Sequence, residues 1–139
     1  MQWGYHAFNT FIINARFEEV KEKRMFTNIV ETQRCAVLID GYYEWKVGVD
    51  GSFNKNKKVP YFIHNKEKGK MMVLAAIYYK TENPMFDVSD SEPEFKYNVV
   101  LMTQSSAPIS ILKGIHTRMP VVLQGDNLRK WLDVNTYKF

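Results

Sequence analysis

Arg34-Cys35-Ala36-Val37-Leu38-Ile39-Asp40-Gly41-Tyr42-Tyr43-Glu44-Trp45 decides the fold class. Ala36–Tyr43 reads as a strand that opens on the apolar run Ala36–Ile39. Asp40-Gly41 interrupts it with a bend. Strand character then resumes in an aromatic run. Alternation puts Tyr42 and Glu44 on one face of that run and Tyr43 and Trp45 on the other. A carboxylate set between bulky aromatics is where desolvation fits the group for general acid–base work. A strand end whose Glu44 simply points at water accounts for the residues as well, and both readings stay open at this point.

On the N-terminal side, Phe11-Ile12-Ile13 reads as a short strand leading into Asn14-Ala15-Arg16. Glu18–Ile29 has helical spacing, with Val20, Met25, Phe26 and Ile29 separated by charged residues. On the C-terminal side, Val59–His64 and Met71–Tyr79 read as strands, joined as a hairpin through Asn65–Lys70. Tyr97–Thr103 is a further strand, Ile109–Leu112 a helical turn and Val121–Leu123 a short strand. Asp126–Leu132 is a closing helix that Asp126 would cap. Val47–Lys58 and Thr81–Glu94 read as loops. About five strands and three short helices in mixed order predict an α+β fold, with a mostly antiparallel, barrel-like sheet.

The composition bounds what this fold can do. A chain of 139 residues, with 45% hydrophobic and 24% charged residues, is expected to form one domain, residues 1–139, and not a disordered tract. Its longest apolar runs, such as Met71–Ile77, fall short of a membrane span, so no membrane partner is expected. Met1–His6 lacks the basic start and apolar stretch of a secretory signal. The single cysteine, Cys35, excludes an intrachain disulfide and a cysteine-based zinc site, and suits a reducing compartment. A net charge of +4 permits a polyanionic partner without requiring one. The lysines between Lys55 and Lys70 read as a solvated, distal hairpin. Arg16, Arg24, Arg34 and Arg118 lie beside apolar segments, where a guanidinium is expected to meet a planar anion.

Two further segments carry chemistry. Ile13-Asn14-Ala15-Arg16 sets an amide and a guanidinium on one face of a strand. Asn14 satisfying turn backbone and Arg16 meeting a surface acid is the plainer alternative. Gly114-Ile115-His116-Thr117-Arg118-Met119-Pro120 holds a histidine, which titrates near neutrality, between a glycine and a proline. His6 and His64 have no such context. No phosphate-binding glycine loop, dinucleotide fingerprint, HExxH metal motif or nucleophile elbow occurs.

In order along the chain, Trp3-Gly4-Tyr5, Ile13–Arg16, Arg34–Trp45, Pro60–Ile63, Leu74–Ile77, Ile115–Pro120 and Lys130-Trp131-Leu132 resemble the SRAP (SOS-response-associated peptidase) family. The resemblance spans nearly the whole chain. It implies an SRAP-like fold and action on single-stranded DNA that contains abasic sites, with no metal or cofactor. It further implies an intracellular setting, nuclear in a eukaryote and cytoplasmic in a bacterium. In the family, an N-terminal cysteine at position 2 supplies an amine that attacks the ring-opened aldehyde and a thiol that closes a thiazolidine, giving a DNA–protein crosslink.

Carried over, Asn14 matches the asparagine that positions the nucleophile and Glu44 the acid/base carboxylate. His116 matches the histidine that handles protons during Schiff-base chemistry, and Arg16 and Arg118 match phosphate-binding arginines. Trp3, Phe8 and Phe11 are the aromatic candidates for contact with bases. Position 2 is Gln2 here, so the expectation is an N-terminally incomplete SRAP-like domain without the nucleophilic cysteine. Two alternatives accompany it: a non-covalent single-strand or modified-DNA binder, and a truncated product without activity.

Overall fold

The computed structural model describes residues 2–7, 10–47, 58–81 and 96–139. Ten strands and three helices are assigned among them. The strands are β1 (Gln2–Trp3), β2 (Tyr5–Ala7), β3 (Thr10–Ile12), β4 (Asn14–Arg16), β5 (Arg34–Ile39), β6 (Gly41–Val47), β7 (Lys58–His64), β8 (Met72–Thr81), β9 (Lys96–Ser105) and β10 (Arg118–Pro120). The helices are α1 (Arg24–Thr32), α2 (Ser110–Lys113) and α3 (Asp126–Leu132). Of the loops expected at Val47–Lys58 and Thr81–Glu94, residues 48–57 and 82–94 lie outside the described residues. Phe8 does as well.

The main sheet is organised by β9. Antiparallel β8 pairs with its first half and antiparallel β10 with its last residues, both along one edge. Parallel β1 and β4 share the opposite edge, with Asn14 opposite Leu101 and Arg16 opposite Thr103. β5 adds to the far side of β8, antiparallel, from Arg34–Ile77 to Ile39–Met72. The α+β architecture with mostly antiparallel pairing is therefore present. The pairing among the described strands is open, so the sheet is not a closed barrel.

Alternation gives this sheet two unlike faces. On one, Ala15, Ala75, Ile77, Tyr79, Val100 and Met102 join Val20, Phe26, Val30 and Trp131 in the core. Phe26 and Val30 lie four residues apart on the inner stripe of α1, and burying each contributes about 1.5–3 kcal/mol. On the other face, Val37, Leu74, Val99, Leu101 and Thr103 line a cavity. Because β8 is covered on both sides over most of its length, Met72–Tyr79 has no polar alternation, and charge returns only at the exposed Lys80.

Several local expectations are corrected. α1 begins at Arg24, not Glu18. Phe17–Glu19 instead forms a 3₁₀ turn whose carboxylates are held by Arg118 and Arg16. The Thr27 hydroxyl donates back to the Lys21 and Lys23 carbonyls at the helix start. β7 and β8 are not a hairpin. β7 pairs with β6, Gly41 opposite His64, while β8 pairs with β5 and β9. Residues 65–70 hand the chain from one sheet to the other, using Gly69 at φ +78. The exposed lysines Lys66, Lys68 and Lys70 sit on this connection, and Lys70 pairs with Glu67.

Near the C-terminus the strand falls at Arg118–Pro120 and not at Val121–Leu123. Val121 donates to Met102 of β9, whereas Leu123 donates to Val73 and Ala75 to Val121, so this segment crosses from one ladder to the next. Asp126 does not cap α3; its carboxylate pairs with Arg129 and Lys130 one turn on. Among the described residues no carboxylate pairs with Arg34. Its buried guanidinium lies 5.3 Å from the Trp131 ring and donates to the Asp133 and Tyr137 carbonyls, closing the end of α3. Trp131 Nε1 donates to the Cys35 carbonyl at 2.8 Å, fixing α3 against β5.

Candidate active site

The cavity has a volume of about 520 Å³. Its floor is the apolar face of β5, β8 and β9, and its polar groups stand around that floor. Asn14 projects from β4 and Glu44 from β6, while Arg118 opens β10 and His116 lies two residues before it. Trp3 completes one wall. Few convergent polar groups over an apolar floor is the usual make-up of a small-molecule site.

Each side chain is positioned by a local device. Asn14 reaches the cavity because Ala15 turns into the core, which sends its neighbours to the opposite face. Glu44 is brought in by the β6–β7 ribbon. There Tyr42 and Glu44 line the cavity, and Tyr43, which also borders it, packs its ring at 5.0 Å and 44° against Phe62 across the ribbon. Gly41 permits this entry: a Cβ there would stand 2.5 Å from the Ile63 carbonyl oxygen and 2.6 Å from the Phe62 ring. His116 is held by its backbone, whose carbonyl accepts from the buried Ser106 hydroxyl. Its Nδ1 stands 3.2 Å from both the N–H and the carbonyl oxygen of Arg118, accepting from the one or donating to the other according to its tautomer.

His116 Nδ1 and Glu44 Oε2 are 3.9 Å apart. The Glu44 side chain is 24% exposed and that of His116 47%. Tyr42, beside them, keeps its phenol protonated: burial pushes it up to about 12, and the Glu44 carboxylate adds to the effect. Tyr42 is thus a neutral donor in this wall. Its side, shared with Glu44, was legible from alternation, but nothing in the sequence marked the phenol as part of a site.

The arginines are arranged differently from expectation. Arg118 lines the cavity, yet its fork is taken by Glu18 in a bidentate pair at 2.9 and 3.0 Å. Its Nη2 also donates to the Thr103 carbonyl and hydroxyl. That pairing holds the Glu18 carboxyl down to about 2. Arg16 is not among the lining residues; it pairs with Glu19 at 2.7 Å, its side chain 62% exposed. Two adjacent carboxylates therefore offset the two arginines. Only Arg118 was expected beside the site and found in its wall, and Glu18, a hundred residues away in sequence, was not foreseen as its partner.

Trp3 is exposed at the cavity mouth, its indole fixed by donation from Nε1 to the Ile13 carbonyl at 3.0 Å. Phe11 is exposed but does not line the cavity. Cys35 lies outside the lining, and burial pushes its thiol up to about 11. Among the described residues there is no cluster of three His, Cys, Asp or Glu side chains that could hold a metal ion. Nor is any helix among them long and apolar enough to cross a membrane.

The family model described as SOS response associated peptidase (SRAP) matches residues 1–138. The abasic site processing protein YMR114C of Saccharomyces cerevisiae is 31% identical over 97% of this chain and 34% of its own length. Its counterpart YoqW of Bacillus subtilis is 29% identical over 88% of this chain and 48% of its own. The chain thus spans between a third and a half of these relatives. A crystal structure of a Bacteroides thetaiotaomicron protein superposes with a TM-score of 0.71 at 25% identity, covering 91% of this chain and 50% of that one.

Proposed function

We propose, for a chain that belongs to the SOS response associated peptidase (SRAP) family, that its cavity receives the base-less sugar of an abasic site in single-stranded DNA. The observation that carries this reading is the meeting of His116 and Glu44, 3.9 Å apart over an apolar floor that Asn14 also borders. The relatives named above are abasic site processing proteins, which supports the same substrate class.

In this reading the residues divide the work by chemistry. An abasic sugar opens to an aldehyde, and an amine that attacks it gives a carbinolamine, which must lose water to become a Schiff base. Loss of water needs an acid at the departing oxygen, and the attack needs a base for the amine proton. Glu44 and His116 hold and move those protons. The Asn14 amide orients the reacting group. Tyr42 donates a hydrogen bond without ionising. Trp3 offers a flat, fixed ring to a neighbouring base, and the exposed Arg16 meets the backbone phosphate.

The described lining residues contribute no amine and no thiol. What we assign to them is therefore proton transfer and positioning. That same absence favours a second reading, in which these residues recognise the abasic sugar without forming a covalent bond.

Binding of a fluorescent single-stranded oligonucleotide with one abasic site, against its intact counterpart, tests the substrate class. The expected result is a preference for the abasic strand that falls by about tenfold in Glu44→Gln and His116→Ala, as for loss of one or two hydrogen bonds. Equal affinity for the two strands would overturn the reading. Mass spectrometry of the same mixture, with and without borohydride, separates the covalent from the non-covalent version.

A further inference from the structure

We propose that Glu18 is a positioning residue, which fixes the segment carrying His116 to the end of β9. The proposal rests on the cavity reading above, but its central measurement needs no DNA. The Glu18 carboxylate accepts from three donors on two different strands. Oε1 takes Arg118 Nη1 at 2.9 Å and the Ser105 N–H at 3.0 Å, and Oε2 takes Arg118 Nη2 at 3.0 Å. One side chain thus bridges the last residue of β9 to the first of β10.

His116 lies between those anchors. Ser106, next after Ser105, donates its N–H to the Thr117 carbonyl and its hydroxyl to the His116 carbonyl. His116 Nδ1 is itself 3.2 Å from both the N–H and the carbonyl oxygen of Arg118. The imidazole is therefore reached from Glu18 by two routes, through Ser105–Ser106 and through Arg118. A bidentate carboxylate–guanidinium pair is planar and directional, so it sets an orientation as well as a distance. Without Glu18, the Ser105 N–H loses its acceptor and Arg118 keeps only Thr103. Glu19, the neighbouring acid, has no such reach, since it pairs with the exposed Arg16 and Lys23.

The test is a long-range ¹⁵N–¹H spectrum of the histidine rings in the full 139-residue chain, which reads tautomer and hydrogen bonding at each ring nitrogen. Wild type is compared with Glu18→Ala, Glu18→Gln and Glu19→Ala. Expected is a change in the His116 ring ¹⁵N shifts in Glu18→Ala, smaller in the isosteric Glu18→Gln and absent in Glu19→Ala, with the His64 signals constant throughout. Alongside, the preference for abasic over intact strand should fall in Glu18→Ala by up to about tenfold, the loss expected for His116→Ala itself. His116 shifts unchanged in both Glu18 variants would overturn the proposal, as would an equal change in Glu19→Ala. Should Glu18→Ala not fold, Glu18→Gln decides by the same spectrum. A wild type without abasic preference would defeat the reading of the cavity, and the ring spectrum would still decide the role of Glu18.

Discussion

His116 Nδ1 faces Glu44 Oε2 across 3.9 Å, and the two side chains arrive there on different sheets. Glu44 rides on the β6–β7 ribbon, whereas His116 precedes β10 at the edge of the main sheet. The gap is too long for a direct hydrogen bond and short enough for one intervening atom to touch both. Groups that serve one atom act as a unit, and their losses do not add. In a cycle of Glu44→Gln, His116→Ala and the double variant, the abasic preference should therefore fall almost as far in either single variant as in the double. Losses that multiply would show that the two residues act independently.

Glu18 makes acid stability a second readout. Its folded-state carboxyl is held at about 2, chiefly by hydrogen bonds from Arg118, against an ordinary value of 4.5. A depressed carboxyl contributes stability that is complete above the ordinary value and is lost as pH falls through the folded one. The contribution should thus disappear between about pH 4.5 and pH 2. Glu19, Glu31, Asp126 and Asp133 are also held down by their own partners, so wild type alone does not isolate Glu18. The difference in urea midpoint between wild type and Glu18→Gln does. It should be constant above about pH 5 and shrink steadily below. A difference that grows on acidification would contradict the assignment.

Much of this arrangement was legible in the sequence, and the limits have physical causes. Alternation put Asn14 with Arg16, and Tyr42 with Glu44, because a strand's side-chain period is fixed locally; of these Asn14, Tyr42 and Glu44 line the cavity and Arg16 does not. The apolar runs at Ala36–Ile39 and Met71–Tyr79 marked strands, and both segments pair in the main sheet. Pairing is not local. Nothing in Val59–His64 tells whether it joins β6 or β8, since its apolar and aromatic side chains suit either neighbour. The start of α1 and the partner of Arg118 share one cause. Glu18 has helix-forming character, but its carboxylate is drawn to a guanidinium a hundred residues away, and the chain turns there instead.

The ribbon's entry tests how closely Glu44 is placed. A methyl group at Gly41 would meet a backbone carbonyl oxygen at 2.5 Å, which cannot move without disturbing the Gly41–His64 end of the ladder. Gly41→Ala should cost about 1–3 kcal/mol, as overpacking does. Because the displacement falls three residues before Glu44, the abasic preference should drop even where the protein remains folded. Thermal melting together with strand binding checks both parts. A variant that binds and melts like wild type would show that the ribbon tolerates a shift at its base.

The last prediction concerns the one thiol in the chain. Cys35 lies on β5, and its backbone carbonyl is engaged by Trp131. It is not among the cavity-lining residues, and burial alone pushes its thiol up to about 11. A thiazolidine requires an amine and a thiol on adjacent carbons of one residue; Cys35 has its nitrogen locked in a peptide bond. The 139-residue chain incubated with abasic single-stranded DNA should therefore give no heat-stable band on a denaturing gel without reductant. With so small a thiolate fraction, alkylation of Cys35 at pH 8 should run about a hundredfold slower than that of a free thiol. Cys35→Ser should leave the abasic preference within about twofold of wild type, since the side chain does not reach the cavity. A heat-stable adduct formed by the wild-type chain and lost in Cys35→Ser would overturn this placement of the thiol.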